Sequence, residues 1–442
     1  KIQLSDHFTY QRLLHFCLPS IVMMIFTSIY GVVDGLFVSN FVGKIPFAAI
    51  NLVMPFIMIL GGFGFMIGTG GSALIAKTLG EGNHKLASRY FSMLIIMTVI
   101  LGLFLTTIGI VFARRVSILL GATDVMLDDC VIYLRTVLLF ISPFMLQNVF
   151  QSFLVTAQKP HAGLIVTIIA GLTNMSLDAL FIVVFRWGVA GAALATGISQ
   201  CIGGLLPLIL FLGKNDSLLH LVPTRLEWRP FFLSCTNGMS ELMGNISSSI
   251  VSMLYNFQLL NYAGENGIAA YGVLMYVQFI FIAVFFGYTI GVGPVIGYHY
   301  GAGNHAELKN LLRKSLKLNI ITGISMTILA NLFAGALSRI FVGYDPELYA
   351  MTKSAFHIFA LSFLVCGINI FASAFFTALN NGLVSAVISF LRTLVFQVGS
   401  VLILPAFLGL TGIWLSNTFA DLMAMLISII FLAAMRKRYH YA

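Results

Sequence analysis

The sequence predicts an all-α polytopic membrane protein with twelve transmembrane helices in two pseudo-symmetric six-helix bundles. Three observations predict it: an apolar composition with few charges, twelve apolar runs long enough to cross a bilayer, and a repeat at an offset of half the chain.

Of 442 residues, 59 % are hydrophobic and only 9 % are charged, where soluble chains carry about 25 % charged residues. Most of the surface must therefore face lipid. The five cysteines, Cys17, Cys130, Cys201, Cys235 and Cys366, are scattered and form no CxxC pair. They read as small packing residues rather than disulfides or a thiolate metal site. A net charge of +9 could suggest a nucleic-acid partner, but the basic residues sit in short loops between apolar runs. Topology explains them, so the expected partners are the bilayer and small molecules, with no nucleic acid. A monomer is expected.

In chain order, the apolar runs fall at 16–38, 47–75, 90–113, 131–156, 163–185, 189–212, 231–262, 268–298, 316–340, 354–379, 384–407 and 411–434. Each has at least the length that spans the hydrocarbon core. The first carries Asp34 and is too long for the apolar part of a cleavable signal. With both termini inside, the inside loops hold sixteen basic residues and the outside loops six, leaving Arg135 and Arg392 within spans. By the positive-inside rule, both termini are expected to be cytoplasmic, and the chain is expected to be a multi-pass protein of the plasma (inner) membrane.

Gly80-Glu-Gly-Asn83 recurs as Gly301-Ala-Gly-Asn304, an offset of 221 residues. The same offset carries Gly188-Val-Ala-Gly191 onto Gly409-Leu-Thr-Gly412, and Ser152 with Thr156-Ala157 onto Ser373 with Thr377-Ala378. Six spans per half give both halves the same orientation, with a pseudo-twofold axis along the membrane normal and a cavity between them. The expected division is an N-lobe at 1–212, a cytoplasmic linker at 213–230 and a C-lobe at 231–442.

Four of fifteen acidic residues fall within spans: Asp34, Asp178, Glu241 and Asp421. A charge at mid-bilayer costs about 2.5–3.5 kcal/mol or more, so each needs a cavity or a partner. Asp34 shares a stripe with Thr27 and Tyr30 on a span that Pro19 is expected to bend. In the fifth span Thr167, Gly171, Asn174 and Asp178 recur at helical spacing, as do Glu241, Asn245, Ser248, Ser252 and Asn256 in the seventh. An intramembrane acid can also be a plain acceptor between helices. Arg135 and Arg392 read as snorkelling or paired. Gln147, Asn148 and Gln151 on the fourth span, with Tyr30, are candidate cavity-lining residues. Together with Asp34, Asp178 and Glu241 they predict a cavity acidic on balance, suited to organic cations.

Several classes are excluded. A membrane-embedded enzyme would need a set such as HExxH, DDxxD or a Ser/His pair at one depth, and none is present. A channel filter calls for a ring of identical elements, which two pseudo-symmetric halves do not supply. No cofactor is implied.

Val32-Val-Asp34-Gly-Leu-Phe37 after Pro19 resembles the first helix of the multidrug and toxic compound extrusion (MATE) family. Asn174-Met-Ser-Leu-Asp178-Ala-Leu-Phe181 followed by Gly188-Val-Ala-Gly191 resembles that family's fifth and sixth helices. Asn237-Gly-Met-Ser-Glu241 looks like its MepA-like branch. The resemblance covers nearly the whole chain. It implies a MATE/MOP-type fold and a cation-coupled exporter of organic, often cationic compounds. Carried over position by position, it implies an N-lobe site for H⁺ or Na⁺ at Asp34, Asn174, Asp178 and Thr196, and a substrate-side role for Glu241. The sequence departs from some members in the tenth helix, where Ile368-Asn369 holds no acid. A flippase for a lipid-linked precursor in the same superfamily is the alternative, and would be expected to line its cavity with several basic residues.

Overall fold

The computed structural model describes residues 1–442, with helices throughout and no strand. Ten helices are long and apolar enough to cross a membrane, and a bent pair makes an eleventh. The twelfth comes from Gly264 (φ 65°, ψ −152°), where the chain turns within Met239–Gly301. The spans are α1 Tyr10–Phe41, α2 Lys44–Gly80, α3 His84–Leu119, α4 Asp124–Leu138 with Ile141–Thr156, α5 Pro160–Val184 and α6 Val189–Leu212. In the second half they are α7 at 228–263, α8 at 265–301, α9 His305–Val342, α10 Pro346–Ala378, α11 Gly382–Leu408 and α12 Leu410–Ala434. Pro19 sits inside a single continuous α1. The two segments of α4 meet at 57°. Pro143 explains that break, since it has no N–H to return to the Leu139 carbonyl.

Lipid explains what stays outside. Leu103, Phe104 and Val111 of α3 are 58 %, 59 % and 66 % exposed, an outward apolar face that water would not tolerate over this length.

Backbone geometry repeats at the sequence offset. Asn83 caps α3 by accepting from the Leu86 N–H, and Asn304 caps α9 by accepting from the Glu307 N–H. Gly188 (φ 65°, ψ −133°) opens α6 and Gly409 (φ 65°, ψ −140°) opens α12. Only glycine takes that conformation without strain, which is why this pair survives in both halves. The turn at Gly264 likewise stands 221 residues after Gly43 (φ 122°), where α1 passes into α2.

The lobes meet through small residues. In lipid there is little hydrophobic drive between helices, and close backbone approach takes its place. A Cβ on Gly291 of α8 would stand 2.9 Å from the Cys17 Cα of α1, and one on Gly70 of α2 would stand 1.8 Å from the Ser234 carbonyl oxygen of α7. Nearer the helix ends, a Cβ on Gly80 would lie 2.0 Å from the Tyr298 carbonyl oxygen, and one on Gly301 would lie 2.0 Å from the Lys77 carbonyl oxygen. All these contacts lie toward the end that carries both termini. The segment before α1 adds a tie at that end: Phe8 N–H donates to Glu307 Oε1 at 2.9 Å, and Asn310 Nδ2 donates to the Phe8 carbonyl at 2.8 Å. Between α6 and α7 the chain runs without helix, and there Lys159 Nζ donates to Asp216 Oδ1 at 2.9 Å, which holds that carboxyl below the usual range. Away from that end a cavity lies between the lobes.

Candidate functional site

Two polar regions result, one inside the first bundle and one between the bundles.

Asp34 on α1 and Asp178 on α5 are neighbours inside the first bundle. Asn174 stands one turn before Asp178 on the same face, and both are buried. Asp34 Oδ1, Asn174 Oδ1, both carboxylate oxygens of Asp178 and Thr196 Oγ1 are buried with no hydrogen-bond donor. A buried polar atom left unpaired costs about 1–3 kcal/mol, and a proton or a hard monovalent cation is the kind of group that would pair such oxygens. Each of the four residues that the family resemblance singles out contributes such an oxygen, as do others elsewhere in the chain, among them Gln151, Gln200 and Ser338. There is no cluster of three His, Cys, Asp or Glu side chains of the kind that holds a multivalent metal. Directly after Asp178 the helix widens into a π-helical stretch at Ala179–Val184, a distortion that often marks working sites. Tyr133 on α4, 3 % exposed, is an electrostatic neighbour of both acids. The sequence offered no sign of it, because one tyrosine in an apolar run carries no pattern.

The second region is a cavity of about 980 Å³ between the lobes. It is lined by the seventh-span stripe that periodicity had grouped: Glu241, Asn245, Ser248, Ser252 and Asn256. A smaller pocket of about 220 Å³ continues from it past Glu241 toward the closed end, reaching Ser72 and Thr377. The Glu241 carboxylate makes neither a hydrogen bond nor an ion pair, while its backbone N–H donates to the Gly238 carbonyl.

Four expected lining residues lie elsewhere. Tyr30, Gln147, Asn148 and Gln151 line neither space. Gln147, Asn148 and Gln151 are 7 %, 3 % and 6 % exposed within the first bundle, where Asn148 Nδ2 donates to the Gly61 carbonyl at 2.9 Å. Tyr30 packs over Gly171. Polar residues on one helix face signal an inward direction, and here inward means the bundle interior rather than the space between bundles. The expectation of a cavity acidic on balance is corrected for the same reason. Asp34 and Asp178 sit inside the bundle, and the lining charges are one carboxylate, Glu241, and one guanidinium, Arg392.

At the positions 221 residues after Asp34 and Thr196 the second bundle has Tyr255 and Asn417. These close a neutral chain: Tyr255 donates from its hydroxyl to Gln397 Oε1 at 3.0 Å, Gln397 donates to Asn417 Oδ1, and Asn417 Nδ2 donates to Ser362 Oγ at 3.1 Å. Asp421 instead pairs with Arg392, Nε to Oδ1 at 2.9 Å. The two bundles share a backbone plan and differ in chemistry at its centre.

The comparisons agree with this architecture. The MatE family model matches twice, at residues 19–180 and 242–403, one match per half. The chain is 25 % identical over 436 residues to the multidrug export protein MepA of Staphylococcus haemolyticus, covering 97 % of this chain and 94 % of that protein. It is 23 % identical over 437 residues to the MepA of Staphylococcus aureus MRSA252, with the same coverage. Its fold superposes with a TM-score of 0.91, at 22 % identity and 98 % coverage of both chains, on a structure described as the outward-facing conformation of a multidrug resistance MATE family transporter of the MOP superfamily. A MOP superfamily transporter from Pyrococcus furiosus, described as having a binding pocket of reverse polarity, superposes at 0.90 with 21 % identity, covering 99 % of this chain and 98 % of that one. Twelve apolar spans, a family match in each half and full-length multidrug-export relatives, none of them an enzyme, establish that this multi-pass membrane chain belongs to the MatE family of transporters.

Proposed function

We propose that this protein is a cation-coupled antiporter, driven by H⁺ or Na⁺, that exports organic and mostly cationic compounds from the cytoplasm across the plasma membrane by alternating access. The observation that carries the coupling is the set of five unpaired buried oxygens on Asp34, Asn174, Asp178 and Thr196. Two carboxylates this close, in a low dielectric, do not both stay ionised without a counter-charge, so the pair takes up a proton or a hard monovalent cation. Neutralisation removes the repulsion between α1 and α5. Because α1 also packs against α8 of the other lobe, at Cys17 and Gly291, a change in α1 reaches the interface that closes the cavity. Coupling then requires only that cation and substrate favour different arrangements of the lobes. The moving bodies in this reading are 1–212 and 231–442, joined by 213–230, with both termini cytoplasmic, and one chain suffices.

The cavity supports an aromatic cation as substrate: Glu241 is the one acid lining it, with Phe56, Tyr271 and Phe286 among the aromatic surfaces. A single basic residue on its wall is too few for a lipid-diphosphate flippase. The test is uptake of a fluorescent cationic dye into everted vesicles under a Na⁺ gradient and a pH gradient applied separately. Uptake under one of them is expected, and absence of uptake under both overturns the reading.

A further inference from the structure

The second-lobe wall of the cavity carries a charge that coupling at Asp34 and Asp178 does not use. Arg392 lines the cavity from the π-helical turn Leu391–Val395 of α11. Its guanidinium makes one hydrogen bond, from Nε to Asp421 Oδ1 at 2.9 Å. Asp421 is 1 % exposed behind it, and the Arg392 side chain is 16 % exposed on the cavity side. A guanidinium has five N–H donors, so four remain uncommitted, including the terminal fork that matches a carboxylate in two parallel bonds.

The pair is not part of the scaffold common to both halves. The positions 221 residues earlier are Gly171 and Gln200, which form no such contact. Glu241 is close in depth: Ser389 Oγ donates to the Ser240 carbonyl at 3.0 Å, fixing α11 to α7 one residue before Glu241 and one turn before Arg392. Even so, Glu241 and Arg392 form no ion pair. The cavity therefore offers one carboxylate and one guanidinium that are not paired with each other, the guanidinium being held by Asp421 through Nε alone.

We propose that Arg392 is a specificity-determining residue of the export site: its free guanidinium edge receives a carboxylate, or a similar planar oxyanion, on an aromatic substrate whose cationic group faces Glu241. Asp421 holds the guanidinium by Nε and aims the fork into the cavity. This deepens the export reading and rests on it.

The test uses the purified full chain and two dyes with one xanthene body: rhodamine 6G, a cationic ester, and rhodamine 19, its free carboxylate. Binding is read by fluorescence anisotropy. In the double variant Arg392→Gln/Asp421→Asn, which leaves neither charge buried alone, the ratio of acid to ester affinity is expected to fall about tenfold, since a charge-assisted fork is lost. Arg392→Lys should recover part of that ratio, as a point charge without the fork. An unchanged ratio in the double variant, or a wild type that binds the ester and rejects the acid, overturns the role of Arg392 while leaving export intact. A wild type that binds neither dye counts against the export reading itself, and the subsite falls with it.

Discussion

Gly80 and Gly301 hold the same position in the two halves and close the same seam, each with a missing Cβ that would lie 2.0 Å from a carbonyl oxygen of the opposite lobe. A methyl group has no flexible neighbour to displace there, since both obstacles are backbone. Overpacking of this kind costs about 1–3 kcal/mol, or about 5- to 150-fold in the population of the closed seam. Gly80→Ala and Gly301→Ala should each open the terminus-bearing end. Spin-label distances between the adjoining ends of α2 and α8 check this, and distances equal to wild type in both variants would show that the seam is looser than its geometry.

Asp34→Asn and Asp178→Asn should each reduce gradient-driven efflux to background while thermal unfolding stays within about 1 kcal/mol of wild type. The amide keeps the shape of the carboxyl and cannot titrate. Efflux at the wild-type rate in either variant would remove the coupling role from that residue.

Glu241→Gln should weaken export of dicationic compounds more than monocationic ones, with the driving-cation dependence of residual transport unchanged. The second lobe has Val395 and Gly399 where the first has Asn174 and Asp178, so Glu241 lacks the companion oxygens of a cation site. A dose series of driving cation decides the matter: a shifted half-saturation with unaltered drug affinity would assign Glu241 to coupling.

Tyr255→Phe should lower stability by about 1 kcal/mol, the value of one neutral hydrogen bond, without altering cation dependence. Its hydroxyl holds Gln397, so the loss is structural. A changed cation dependence would mean that the second bundle titrates as well.

Much of this was legible in the residues, and the limits have physical causes. Apolar run length gives the twelve spans because lipid imposes it, and the 221-residue offset reappears as matched caps at Asn83 and Asn304. A sequence-expected loop between the seventh and eighth spans is instead a turn at Gly264, since one glycine at positive φ suffices to end one helix and begin the next. The stripe from Glu241 to Asn256 does line the cavity. Gln147, Asn148 and Gln151 carry the same kind of signal and lie within a bundle, because helical periodicity fixes a face and says nothing about which of two interiors that face meets. The pairing of Arg392 with Asp421 needed three dimensions, being a contact across 29 residues and two helices.

Cys17 stands at the closed seam, fully buried, with its Sγ 3.0 Å from where a Cβ of Gly291 would be. It is therefore a native chemical clock for the resting arrangement. In a chain whose other four cysteines are replaced, maleimide can reach this thiol only during excursions that separate α1 from α8. Its alkylation rate then counts those excursions without any label placed by design, and driving cation and substrate should push that rate in opposite directions.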